Sequence, residues 1–83
     1  MKKSEMVERI IDSKVATKNY LDKIGIKASY TYVIENGNKL IEQVTDSDNE
    51  IILESTIIDN MSQTEVKQVV EFIRDYKQVL EFA

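Results

Sequence analysis

The dipeptide Asn36-Gly37 constrains this chain more than any other feature. Both residues accept the positive φ that tight hairpin turns demand. They lie between Ala28–Ile34 and Lys39–Val44, two runs rich in β-branched and aromatic residues that favour a pleated strand. The stretch ASYTYVIENGNKLIEQVT is therefore a β-hairpin, and the length of its loop decides which side chains share a face, because a one-residue slip exchanges the faces of a strand.

A two-residue loop would pair Ile34 with Lys39 and leave Leu40 and Val44 on the side opposite the tyrosines. A three-residue loop Glu35-Asn36-Gly37, with Gly37 as the left-handed residue of a bulge, pairs Tyr32 with Leu40. It also gathers Tyr30, Tyr32, Ile34, Leu40 and Val44 on one side. The second arrangement is expected because it builds a face that can be buried. A four-residue turn, Asp46-Ser47-Asp48-Asn49, then leads into EIILES, placing Ile51 opposite Val44 and adding Ile51 and Leu53 to that face. The other face carries Thr31, Val33, Ile41, Gln43, Ile52 and Glu54.

Helical patterns flank this meander. Met6, Val7, Ile10, Ile11, Leu21 and Ile24 recur at helical spacing over residues 5–24, although the stripe thins between Asp12 and Lys18, where a kink or a break at Ser13 is an alternative. Gly25 suits the left-handed position after the helix, with Ile26 folding back on Leu21 as in a Schellman motif. Ser62-x-x-Glu65 is a capping box, and Met61 and Val66 stand where a hydrophobic staple would. From Gln63, the stripe Val66, Val69, Val70, Ile73, Tyr76, Leu80 predicts a helix running to the end of the chain. The expected fold is a single α+β domain over residues 1–83, of order α-β-β-β-α, with a three-stranded antiparallel meander between an N-terminal and a C-terminal helix.

Composition removes several function classes. There is no Cys and no His, so a disulfide framework, a thiolate metal site and the usual general base are all missing. Charges interrupt the N-terminal apolar residues, and no run approaches the ~20 apolar residues of a membrane span, so a cytoplasmic protein with no membrane partner is expected. The only two glycines are needed by turns, which leaves no phosphate cradle.

The run Asp46-Ser47-Asp48-Asn49-Glu50 alternates acids as calcium loops do. Counted from Asp46, however, such a loop needs Gly at 51 and Glu at 57, where the chain has Ile51 and Ile57, so it reads as a turn. No metal, cofactor, catalytic residue or small-molecule substrate is inferred. Glu42 is the one acid on the tyrosine face. It is expected to reach the sheet rim and stay in water, and an enzymatic role for it, together with a nearby Tyr, would need a closed pocket around its carboxylate.

Residues 1–27 hold seven basic and four acidic side chains, whereas residues 28–83 hold four and eleven, within a net charge of −4. Lys14, Lys18, Lys23 and Lys27 form the one basic strip, so a nucleic-acid-binding module is the alternative reading. The order α-β-β-β-α is also that of the double-stranded RNA-binding domain. That family's lysine cluster at the start of the second helix is replaced here by Gln63-Thr64-Glu65-Val66-Lys67, which makes nucleic acid an unlikely partner.

The leading expectation is a small, non-enzymatic binding or regulatory protein that contacts a protein partner, or itself as a homodimer. Its contact residues would be Val33, Ile41 and Ile52, flanked by Thr31, Gln43 and Glu54. The Ile-, Lys-, Asn- and Glu-rich vocabulary is that of low-GC bacteria and their phages or mobile elements.

Overall fold

The computed structural model describes residues 1–83. Helix α1 (Lys3–Lys23) is followed by strands β1 (Ser29–Glu35), β2 (Lys39–Thr45) and β3 (Ile51–Ile58), helix α2 (Gln63–Asp75) and strand β4 (Val79–Phe82). The expected α+β meander between two helices is present, and β4 adds a fourth strand, giving the sheet order β3-β2-β1-β4. β1, β2 and β3 are antiparallel neighbours and β4 runs parallel to β1. β3 and β4 therefore point the same way, and α2 carries the chain from one edge of the sheet to the other.

The hairpin loop has three residues, but it begins one residue later than expected. Glu35 pairs with Lys39, and Asn36, Gly37 and Asn38 form the loop, in which Asn36 (φ 55°) and Gly37 (φ 72°) are both left-handed. Two positive-φ residues make a primed turn, whose twist matches the strands it joins. The faces stay as expected, since the pairing moves by two residues; the partner of Tyr32, however, is Glu42 and not Leu40.

A second shift lies at the β2–β3 turn, where the ladder is irregular between Val44 and Thr45. Leu53, not Ile51, stands opposite Val44, and Ile51 pairs with Thr45. The Asp46 carboxylate accepts the backbone N–H of Asp48 at 2.9 Å and of Glu50 at 3.0 Å, so this acid is used to shape the turn.

The end of α1 and the start of α2 have local causes. Gly25 (φ 74°) follows α1 with its N–H donating to Asp22 O, while the Ile26 N–H donates to Leu21 O at 3.0 Å, the Schellman pattern. α1 is continuous through Ser13 and Thr17. α2 opens with the capping box: Ser62 Oγ accepts from the Glu65 amide at 3.2 Å, and Glu65 Oε1 accepts from the Ser62 amide at 2.9 Å. The Ser62 amide, together with the Met1 ammonium 2.9 Å away, holds the Glu65 carboxyl down at about 2.

The C-terminal helix does not run to the end of the chain. It stops at Asp75, and Lys77 takes the left-handed position (φ 56°), its N–H donating to Arg74 O while the Gln78 N–H donates to Ile73 O. This is a second Schellman motif, built without glycine. Leu80 joins the same core whether it continues the helical stripe or lies on a strand opposite Tyr32, so periodicity could not separate the two. Val79 and Phe82, with their strand preference, and the free edge of β1 favour the strand.

The core is one-sided. Met6 and Ile10 of α1 and Val69 and Ile73 of α2 meet Tyr32, Ile34, Leu40 and Ile58 of the sheet, with Met61 closing one end. Both helices thus cover the tyrosine face, and no helix covers the other. A left-handed non-glycine residue costs roughly 1–2 kcal/mol, partly offset in a glycine variant by the freer unfolded chain. Lys77→Gly is therefore expected to raise stability by about 0.5–1 kcal/mol in urea unfolding.

Candidate functional site

Glu42 is the one buried polar or charged residue of the structure, and its exposure is 0%. It does not reach the rim of the sheet as expected. The shifted register places it directly opposite Tyr32, whose hydroxyl donates to Glu42 Oε2 at 2.9 Å. From the helix above, Ser13 Oγ and Thr17 Oγ1 donate to Oε1 at 3.3 and 3.1 Å.

These two residues explain the thin stretch in the α1 stripe. Met6, Ile10, Ser13, Thr17 and Leu21 follow the 3–4 spacing of one helical face, and the two hydroxyls occupy the part of that face lying over a carboxylate. A sequence signal was present, in that a helix stripe interrupted by two hydroxyl residues accompanies a lone acid on the apolar face of a strand. Each half looks like a defect when read alone.

No salt bridge reaches Glu42: the two of the structure, Met1 ammonium–Glu65 and Lys18–Asp22, lie elsewhere. Three hydroxyl groups hold its carboxyl instead, and a buried polar group left without such partners costs roughly 1–3 kcal/mol. Burial first, and the adjacent Glu42 second, push the Tyr32 phenol far above its ordinary value. Tyr30 is raised by burial and by Asp22, with Glu42 adding to both.

The arrangement is sealed. Two shallow depressions mark the surface, one of about 210 Å³ lined by Ile11, Lys14, Val15, Lys18 and Tyr76, the other of about 220 Å³ between Lys27–Ser29 and Asp46–Ser47. Neither reaches Glu42 or its hydroxyl donors, so no substrate has access to this carboxylate. No group of three or more acidic side chains is placed to hold a metal ion, and no helix is long and apolar enough to cross a membrane.

The lysines of the basic strip separate. Lys14 Nζ donates to Gln78 Oε1 at 2.6 Å and lies 5.6 Å from the centre of the Tyr30 ring, while Lys18 is bonded to Asp22 at 3.0 Å. Lys23 and Lys27 are exposed at the exit from α1.

On the bare sheet face, Val33 and Ile41 stand opposite each other, each 5% exposed. Thr31 pairs with Gln43, and Gln43 Nε2 donates to Glu54 Oε2 at 3.0 Å across the next ladder. The expected row is broken at its third member. The neighbour of Ile41 on β3 is Thr56, and Ile52 sits at the irregularity near the strand's start, half-buried. The apolar floor of this face thus consists of Val33 and Ile41, with exposed Val79 of β4 beside Thr31 and polar side chains elsewhere around it.

Set against models of known protein families, curated proteins and solved structures, the chain matches none of them.

Tyr32→Phe leaves the buried carboxylate one donor short and is expected to cost about 1–3 kcal/mol. Combined with Glu42→Leu, which has no acceptor oxygen, it should cost less than the two changes separately, because each removes the same bond. The Tyr32 phenol ionises near 10 in the unfolded chain and well above that in the folded one. Stability is therefore fully present below about pH 10 and is lost as pH rises beyond it. Denaturant titrations from pH 8 to 11 should show this decline, and Tyr32→Phe should make it shallower.

Proposed function

We propose that this chain is a small intracellular binding protein with no chemistry of its own, acting in a regulatory role through protein–protein contact on the outer layer of its sheet. The observation that carries the reading is the one-sided architecture. Two helices bury the tyrosine face, and the opposite face is left with an apolar floor of Val33 and Ile41 inside a polar surround of Thr31, Gln43 and Glu54, with Ile52 at its margin. Its accessible apolar part is exposed Val79, beside Thr31, together with half-buried Ile52, and apolar groups set among polar ones are the usual anatomy of a contact surface.

The sealed state of Glu42 supports the non-catalytic part of the reading, since an acid or base must reach a reacting proton. Two of the four strip lysines already have protein partners, which weakens them as phosphate contacts. The composition fits an origin in a low-GC bacterium, or in a phage or mobile element of one.

Val33 and Ile41 are poor probes, because a charge at either would be buried and would unfold the chain. Thr31→Arg and Ile52→Asp change the accessible part of the same face. Each is expected to leave the circular-dichroism spectrum and thermal midpoint close to wild type while lowering partner affinity by about tenfold or more, as loss of a central contact does. Retention of the partner by both folded variants would refute a contact on this face, and a gel shift at low salt would favour nucleic acid instead.

A further inference from the structure

We infer that a second copy of this chain joins antiparallel along the free edge of β3 about a two-fold axis at Ser55, so that two four-stranded sheets become one. This rests on the reading of the chain as a protein-contact protein and adds a second contact, along the sheet edge, to the one on its outer face.

β3 ends the sheet order, so one rank of its backbone N–H and C=O groups faces no strand of this chain. Proteins ordinarily guard such edges with Lys, Pro, bulges or very short strands. The opposite edge, β4, is short, at four residues. β3 runs for eight, IILESTII, with no Lys, Arg or Pro and with Glu54 as its only charge. Its ladder irregularities lie towards the two ends and leave Leu53–Thr56 in regular register. Ile51 and Leu53 are 55% and 39% exposed on it.

Charge argues for a second copy at this place. Residues 28–83 carry eleven acids and four bases, so two copies repel over most of this surface. β3 is the long, nearly neutral exception.

Geometry then selects the register. A two-fold axis relating antiparallel edges of one sheet stands normal to the sheet, so side chains meet others from the same face and one residue faces its own equivalent. Centred on Glu54, the pairing sets like charges against each other. Centred on Leu53 or Thr56, it sets Glu54 against Ile52 or Ile58 of the second copy. Centred on Ser55, it sets Glu54 against Thr56, twice by symmetry, and Leu53 against Ile57. Only there does polar meet polar and apolar meet apolar. An edge contact of this length falls at the low end of specific interfaces, ~1,200 Å² or less, so the dimer is concentration-dependent.

The test is light scattering over a concentration series, with two variants at exposed Thr56 and one at exposed Ser55. Thr56→Glu faces Glu54 of the second copy and should weaken the dimer about tenfold, while Thr56→Lys should tighten it. A folding defect cannot produce that tightening. The chain has no Cys. Ser55→Cys therefore adds a single thiol, and the ~4.5–5.5 Å between facing Cα atoms lies within disulfide reach. Oxidised glutathione should cross-link Ser55→Cys into a dimer and leave Glu50→Cys monomeric.

A wild-type chain that stays monomeric throughout overturns the inference, as does a dimer on which both Thr56 variants act alike. A dimer lost in Thr31→Arg, on a strand that the edge contact does not touch, but indifferent to Thr56 would mean association through the sheet face. That result refutes the edge and leaves the proposed function standing. Failure of Thr31→Arg to affect any partner, with the Thr56 pattern intact, does the reverse.

Discussion

A carboxyl group that is out of water and without a salt-bridge partner has to be held by hydrogen bonds. In this protein the Glu42 carboxylate is held by hydroxyls from three places, Tyr32 on the neighbouring strand and Ser13 and Thr17 on α1. These bonds fix the position of α1 over the sheet more narrowly than apolar packing does, since packing tolerates sliding whereas a carboxylate has few acceptor positions. They also bind the outcome to a single hairpin register. If Tyr32 were opposite Leu40, the phenol would lose its partner and the acid would have one donor fewer. The turn at Asn36-Gly37 and the polar gap in α1 thus meet at the same two oxygen atoms.

The parts of the fold that could be read in the sequence are those with local causes. Gly25 and Ile26 end α1 through bonds to residues within the preceding turn, and Ser62 and Glu65 begin α2 through bonds to each other. The division of β1 and β2 into two faces was also legible, because it depends only on whether the loop adds an odd or an even number of residues. The exact partner was not, since loops starting at Glu35 and at Asn36 give the same faces. Glu42 was singled out as the acid on the tyrosine face, but its burial depends on donors 25 and 29 residues away and has no local mark.

The end of α2 failed for a different reason. Lys77 adopts a conformation that carries no expectation in a lysine, and Leu80 serves either assignment. The outer face was legible as a surface and misread in detail, because the irregularity beside Val44 moves Ile52 out of line with Val33 and Ile41. A sheet with one packed and one open face is nonetheless what the alternation of β1 and β2 describes.

The parallel contact between β1 and β4 also bears on the order of folding. The meander pairs strands that follow one another, whereas β4 must close a loop from residue 31 to residue 79 before it gains a single bond. The entropy of that closure is not recovered until α2 has crossed the sheet. Before then β1 is itself an edge, with Tyr32 and Ile34 beside it. Docking of β4 replaces the seven-residue border of β1 with one of four residues, so that of the two edges of the finished sheet β3 is the long one.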